Sequence, residues 1–287
     1  EISLGQGKYL IPSGVAQSKS VPSGLVIYGV DADSTIVYVT GIAPGESSAS
    51  YFFDGGKAVT FKDLTIDFGN TTNYDGFVRA GDMKFENVTI KGMGSHWGSG
   101  NVTFTNCKFV YPDEGYNKWT YNLWTYSGNS FTFADCTFVA ELGGGNAENP
   151  AISKFINVYK EGSGTAAVNI TLSNCKFVTE TAEGTTAEPG KPIIKIGNGA
   201  TWHISVTNAD TADAKAKVYE STGSKLYGSD SGEGILSNTA STVSINGKTF
   251  WANGTAVTAK IKFVPNNNSS IAPQTIKLGM TVVKPAD

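Results

Sequence analysis

The sequence predicts an all-β fold built from stacked repeats, and three observations support this prediction. A six-residue phrase recurs five times, with apolar residues at its first, fourth and sixth positions and Asn or Asp at its third. The 34 glycines and the low charged fraction of 16% suit many short strands joined by turns. No stretch has the sustained period of an amphipathic helix. Repetition of one short unit is typical of a solenoid, in which each unit packs mainly on its neighbours.

The repeated phrase begins at intervals of 19 to 39 residues, which indicates a unit of about 20 residues with insertions of variable length. Its copies occupy residues 61–66, 85–90, 104–109, 133–138 and 172–177. A second short strand ending near Gly recurs at residues 52–55, 77–81, 123–128, 155–162 and 193–197. The predicted unit is therefore a strand, a Gly turn, a second strand and a loop.

The third position of the phrase predicts a bend. Apolar residues three apart cannot share one face of a straight strand, because side chains alternate with a period of two. Asn and Asp tolerate the left-handed backbone conformation that a bend needs, and they bond to nearby backbone groups. We expect these residues to stack into a corner-forming ladder rather than to catalyse a reaction: Asp63, Asn87, Asn106, Asp135 and Asn174.

The three cysteines, Cys107, Cys136 and Cys175, share the fourth position of the phrase. Their odd number and equivalent places predict reduced thiols in a stacked core rather than a disulfide framework. Parallel Cβ directions on neighbouring strands also suit the torsion of a disulfide poorly. No fourth Cys and no suitably spaced His accompanies them, so no metal site is predicted.

The phrase and its spacing resemble the right-handed parallel β-helix of the pectin-lyase-like superfamily over residues 1–208. The segments at residues 8–12 (KYLIP) and 25–31 (LVIYGVD) are similar to the first coils of such proteins. The resemblance implies stacked coils that share one continuous core. Because this superfamily includes enzymes, adhesins and phage proteins, the resemblance implies a fold without specifying an activity.

Residues 209–287 follow a different pattern and are predicted to form a β-rich C-terminal cap or a small appended β domain. Asn246-Gly247 lies between alternating apolar residues at 242–251, which predicts a hairpin. Residues 257–264 and 275–283 supply two further candidate strands. A cap is expected because an uncovered coil end exposes an aggregation-prone strand edge.

Charge and hydropathy exclude several functions. The net charge is -3, no lysine cluster exists, and Arg79 is the only arginine, so nucleic acid is not an expected partner. No run approaches the roughly 20 apolar residues of a membrane helix, so no membrane insertion is expected. We expect a bacterial protein that is extracellular or attached to the cell surface, whose targeting segment is not part of this chain.

The insertions at residues 110–120, 139–153 and 178–191 follow the same strand of each repeat, which predicts that they lie on one side of the solenoid. Aromatic and hydrogen-bonding residues on nearby strands would suit a sugar ring. The predicted ligand-binding residues are Trp119, Trp124, Tyr126, Asn157, Tyr159 and Lys195. The alternative is an ordinary solvated β-face with a few amphipathic aromatic residues. Separately, the ambiguous register of residues 123–126 leaves an inward orientation of Trp124 open.

An enzymatic alternative depends on the resemblance to pectate-lyase-like proteins, in which acidic residues bind Ca²⁺ and a basic residue removes a proton. The matching positions are Arg79, Asp54, Asp75 and Asp82. Asp67 and Asp75 are a further carboxylate pair of the kind that glycoside hydrolases use. The Asn-Thr-Asp, Asp-Asp, Gly-His-Gly and Arg-Ile-Lys motifs of the pectin-cleaving hydrolases are absent.

The sequence therefore favours a non-catalytic module that binds a polysaccharide or cell-surface glycan, or a surface protein, with no cofactor. The second interpretation is a polysaccharide lyase or glycoside hydrolase, and Ca²⁺ is implied only under this interpretation. A purely structural segment of a larger surface protein is the third. Outward residues such as Thr103 and Thr105 also suggest ice binding, but the irregular loops are expected to interrupt a flat threonine array.

Overall fold

A computed structural model describes residues 1–11, 22–39, 51–54, 58–67, 76–79, 82–91, 100–111, 121–125, 130–142, 156–160, 167–181, 186–187, 194–196, 202–207, 242–252, 255–256, 258–261 and 274–277. Within these ranges the chain is all-β and contains no helix. A long sheet, paired mostly in parallel, contains the majority of its strands. The predicted all-β class is confirmed for this part of the chain.

The strands of the first half of the chain are β1 (Ile2–Ser3), β2 (Gly7–Ile11), β3 (Leu25–Tyr28), β4 (Thr35–Val39), β5 (Tyr51–Asp54), β6 (Val59–Asp67), β7 (Gly76–Arg79), β8 (Met83–Lys91), β9 (Asn101–Thr105), β10 (Lys108–Tyr111), β11 (Tyr121–Thr125), β12 (Ser130–Ala134) and β13 (Thr137–Leu142). They are followed by β14 (Ile156–Lys160), β15 (Val168–Ser173), β16 (Lys176–Thr181), β17 (Thr186–Ala187), β18 (Ile194–Ile196), β19 (Trp202–Thr207), β20 (Thr242–Ile245), β21 (Lys248–Ala252), β22 (Thr255–Ala256), β23 (Thr258–Ile261) and β24 (Gln274–Lys277).

Two parallel ladders make up most of the long sheet. The first ladder pairs β1, β3, the start of β6, the start of β8, β9, β12, β15, β19 and β20 in that order. The second ladder pairs β2, β4, the end of β6, the end of β8, β10, β13 and β16. A third ladder of β11, β14 and β18, together with the pair β5 and β7, accounts for the strands predicted before the Gly turns.

The core consists of rows in which equivalent residues of successive strands stack on each other. Phe104 lies between Phe85 and Phe133, with ring centroids 4.7 and 4.9 Å away and nearly parallel planes. A second row stacks Phe109 on Phe138 at 4.6 Å. All five rings are 0 or 1% exposed. Because each ring fills the space between its neighbours, one strand alone could not bury its apolar residues.

The predicted bend is present at every copy of the phrase. The third-position residues have left-handed φ values of 51° to 55°: Asp63, Asn87, Asn106, Asp135 and Asn174. Their side chains also form hydrogen bonds between strands. The Asn87 amide donates to Asp63 at 2.8 Å, and the Asn106 amide donates to Asn87 at 2.8 Å. The ladder therefore directs the chain from the first sheet ladder into the second, as expected for a structural corner.

Gly29 lies directly after β3, where it is the equivalent of the bend residue Asp63 in the neighbouring strand β6. The register pairs Tyr28 with Lys62, and the Gly29 amide donates to the Lys62 carbonyl at 3.0 Å. A Cβ atom at Gly29 would overlap the Asp63 carbonyl oxygen and the Thr35 side chain. Glycine is required here by the close approach of two backbones.

The C-terminal part contains the predicted hairpin. Asn246 and Gly247 have φ values of 47° and 75° and join β20 to β21, which pair antiparallel. Two left-handed residues in a tight hairpin are typical of a type I′ turn. β20 also pairs in parallel with β19, so the first ladder continues beyond residue 208. The antiparallel pair β23 and β24 agrees with the two further strands, while the domain boundary at 208/209 stays a prediction.

Candidate binding faces

The third ladder brings four of the predicted ligand-binding positions into register. Trp124 of β11 is opposite Tyr159 of β14, and Asn157 of β14 is opposite Lys195 of β18. Register partners, and residues two apart on one strand, occupy the same face of a sheet. The four positions therefore share one face, with neighbouring strands about 4.8 Å apart. Their role in ligand binding stays a prediction.

Several predicted site residues lie outside the described residues. They are Trp119, Tyr126 and Asp75. Most of each predicted insertion also lies outside the described ranges. The suggested carboxylate pair of Asp67 and Asp75 accordingly stays a prediction, although Asp67 itself is 4% exposed at the end of β6.

The backbone brings part of the proposed lyase group together. Asp54 of β5 and Arg79 of β7 are register partners. The Asp82 carboxylate accepts a hydrogen bond from the Asn101 backbone amide at 2.8 Å, and it thereby fixes the start of β9. In the part of the chain that is described, no three His, Cys, Asp or Glu side chains form a group that could hold a metal ion.

The outer side of the first ladder forms a surface that we call the hydroxyl face, contributed by β9, β12, β15, β19 and β20. Inward residues of these strands, such as Val102 and Phe104, are buried, and the alternating residues are half-buried or exposed. The central row of the face is Thr103, Thr132, Thr171, Ser205 and Ser244. On its two sides lie a row of Asn101, Ser130, Asn169, His203 and Thr242 and a row of Thr105, Ala134, Ser173 and Thr207.

The hydroxyl face contains no Lys, Arg, Asp or Glu in its five strands. Charged residues resume on the preceding strands of the same ladder, where Lys84 extends the central row and Lys62 pairs with Glu86 at 2.6 Å. Two side-chain hydrogen bonds occur on the described part of the face: His203 Nδ1 with Thr242 Oγ1 at 2.8 Å and Ser244 with Thr249 at 3.4 Å. The central threonine hydroxyls have no partner among the described residues.

The expectation that loops interrupt a threonine array is wrong for this face. Thr103, Thr132 and Thr171 are direct register partners on successive strands. The insertions leave the array intact because they enter the chain after the second-ladder strands, such as β10 and β13, and not within the first ladder. The signal that sequence reasoning missed is the recurring alternation of small polar residues in NVTFT, SFTFA, NITLS and HISVT.

The cysteines have a structural role, and the prediction that they are reduced is confirmed. Cys107 and Cys136 are 2 and 0% exposed. Each thiol donates to backbone carbonyl oxygens, as Cys136 does to Ala134 at 3.3 Å and Phe104 at 3.5 Å. The neighbouring Cys107 thiol, together with burial, raises the pKa of Cys136 to about 12. The Cys136 thiol, followed by burial, likewise raises the pKa of Cys175. Raised pKa values oppose formation of the reactive thiolate.

Two further findings concern membrane-spanning helices and the comparison of this chain with known proteins. In the described ranges, no helix has the length and hydropathy that a membrane span requires. Neither a family model, nor a curated protein, nor a solved structure matches this chain.

Proposed function

We propose that this chain is a right-handed parallel β-helix of the pectin-lyase-like kind, secreted or displayed at the cell surface, with a β-rich C-terminal cap. The order of the strands supports the proposal. From β9 to β11, and again from β12 to β14, the chain passes through the first, second and third ladders in the same sequence. A chain that returns to each ladder in a fixed order, one strand higher each time, is what a solenoid requires.

The function that we propose for it is non-catalytic binding of a glycan. The observation that carries this proposal is the register of the third ladder, in which Trp124 is opposite Tyr159 and Asn157 is opposite Lys195. Aromatic rings stack on the apolar faces of sugars, while amide and ammonium groups bond to the hydroxyls at the ring edge. Positions on adjacent strands are close enough for one sugar to contact two of them.

A glycan array followed by titration calorimetry tests this function with the Trp124→Ala and Tyr159→Ala variants. We expect each variant to keep the circular dichroism spectrum and unfolding transition of the wild type and to lose most of its glycan affinity. Tyr38→Ala is the matched control, because Tyr38 is a half-exposed aromatic residue of the second ladder, against which Lys8 packs. Full glycan binding by the folded Trp124→Ala variant would contradict the proposal. Unfolding of that variant would place Trp124 in the core together with its register partner Tyr159, and it would therefore contradict the proposal as well.

A polysaccharide lyase is the second candidate, favoured by the register partnership of Asp54 and Arg79. An adjacent acidic and basic pair is part of what proton abstraction from an acidic sugar needs. The test is the appearance of unsaturated products from polygalacturonate, with and without added Ca²⁺, by the wild type and by Arg79→Ala. Product formation that depends on Arg79 would support the lyase. Absence of both binding and cleavage would leave a structural segment of a larger surface protein.

A further inference from the structure

We propose that the hydroxyl face is a second glycan-binding surface, selective for an extended, uncharged polysaccharide that lies along the stacking direction of the strands. The proposal rests on the proposed function, because both take the ligand of this chain to be a glycan. It differs from that function in the surface, which belongs to the first ladder rather than the third, and in the requirement for a neutral polymer.

The chemistry of the face matches a neutral polyol. Each Ser or Thr hydroxyl both donates and accepts hydrogen bonds, as sugar hydroxyls do, and the Asn101 and Asn169 amides supply both functions as well. Both amide side chains are exposed. Since no charged residue belongs to the five strands, an acidic glycan would find no cation to pair with on them, and the next cation along the central row is Lys84 of β8. A neutral glycan would leave no buried charge unpaired.

The geometry of the face matches a polymer rather than a small sugar. Successive strands lie about 4.8 Å apart, which is comparable to the length of one sugar unit in an extended chain. A chain along the stack therefore meets an equivalent hydroxyl at each strand, beginning with Thr103, Thr132 and Thr171. Apart from His203, the face is formed by short side chains, and none of its three described rows includes Phe, Tyr or Trp. Each contact is consequently weak, and affinity must accumulate over several sugars.

The composition of the rows favours a polysaccharide over the ice surface that a threonine array also suggests. A crystal lattice of water presents identical groups at every repeat, and a matching protein surface would present side chains of one kind and height. Here one row contains Asn101, Ser130 and His203, and another is interrupted by Ala134. A flexible sugar chain with hydroxyls of differing direction tolerates that variation.

The test compares three variants with the wild type in retention assays on cellulose, chitin, xylan and mannan, with polygalacturonate as the acidic comparison. The double variant Thr132→Val, Thr171→Val removes two hydroxyls and nearly keeps side-chain shape. Thr137→Val is its matched control, since Thr137 is a half-buried threonine of the second ladder. Trp124→Ala reports on the third ladder separately. Circular dichroism and thermal unfolding confirm that each variant is folded.

We expect the wild type to bind at least one neutral polysaccharide and the double variant to bind it roughly tenfold more weakly, because two hydrogen bonds are lost. Thr137→Val should bind normally. Short oligosaccharides of the same sugar should bind far more weakly than the polymer, and added salt should have little effect because the face has no charge. Retention that falls with the double variant but not with Trp124→Ala would support the hydroxyl face and contradict the third-ladder site.

Other results would overturn the inference. Loss of binding in Trp124→Ala with normal binding by the double variant would refute the hydroxyl face and leave the proposed function standing. Failure of the wild type to bind any of the four neutral polysaccharides would also refute it. Arrest of ice growth by the wild type, lost in the double variant and unaccompanied by polysaccharide binding, would assign the face to ice instead.

Discussion

The left-handed ladder predicts that Asn106 tolerates glycine better than alanine. Asn106 has a φ of 51°, and its amide donates to Asn87 at 2.8 Å. Both substitutions remove that hydrogen bond, which contributes about 0.5–1.5 kcal/mol. Alanine adds the steric cost of the left-handed conformation, about 1–2 kcal/mol. Glycine avoids this cost, but it gives the unfolded chain more conformational freedom, which lowers the free energy of unfolding by about 0.4–1 kcal/mol.

The expected order of stability is therefore wild type, then Asn106→Gly, then Asn106→Ala, with about 0.5–1 kcal/mol between the two variants. Urea unfolding followed by circular dichroism measures the free energy of unfolding for each protein. Thr105 supplies the control, because this exposed neighbour lies in β9 and has no left-handed φ.

At Thr105 the order should reverse, since glycine within a strand is less stable than alanine by about 0.5–1 kcal/mol. Equal stability of Asn106→Ala and Asn106→Gly would refute the strain argument. The same order at both sites would refute it too, because the effect would then be a general property of glycine.

The remaining predictions concern the core rows. Phe104→Ala should lower the free energy of unfolding by about 3–5 kcal/mol, because the ring is 1% exposed between Phe85 and Phe133. Phe104→Leu should cost clearly less, since Leu172 already fills the equivalent place; equal losses in the two variants would contradict this account of the row. The free energy of unfolding should also fall as pH rises between about 8.5, the thiol pKa in the unfolded chain, and about 12, the raised pKa of Cys136 in the folded protein. Over this range the folded state keeps a proton that the unfolded state has lost. Chemical unfolding across this range should show a shallower pH dependence in Cys136→Ala, and identical slopes in the two proteins would exclude the thiol as the cause.

The sequence was sufficient to predict the features that repeat. The interval between copies of the phrase predicted stacking, and Asn or Asp at its third position predicted a left-handed bend at Asn106 and its equivalents. These features follow from local chemistry, because few residues other than Gly, Asn and Asp tolerate that backbone conformation. Cys107 and Cys136 were predictable for a similar reason, since one position in a stacked core demands small apolar side chains.

The surfaces were harder to predict because they depend on register between strands that are distant in sequence. Thr132 and Thr171 are 39 residues apart, and only their pairing shows that they belong to one row. The insertions suggested an interrupted array, because their lengths differ in the sequence. Pairing in the first ladder is set instead by buried residues such as Phe133 and Leu172, and a one-residue slip would expose them.

The direction of the side-chain hydrogen bonds explains why both Asn and Asp occur in the corner ladder. Each asparagine amide donates to the residue on the preceding strand, so a continuing member needs both a donor and an acceptor. An aspartate only accepts, and it can begin a run but not continue one. Asp63 begins the run through Asn87 and Asn106, and Asp135 begins a second run by accepting from Asn174 at 2.6 Å. Among the described residues no side-chain hydrogen bond joins Asn106 to Asp135. The backbone bond from Asn106 to Ala134 at 2.9 Å continues across that step, so the pairing of the strands does not depend on the side-chain ladder.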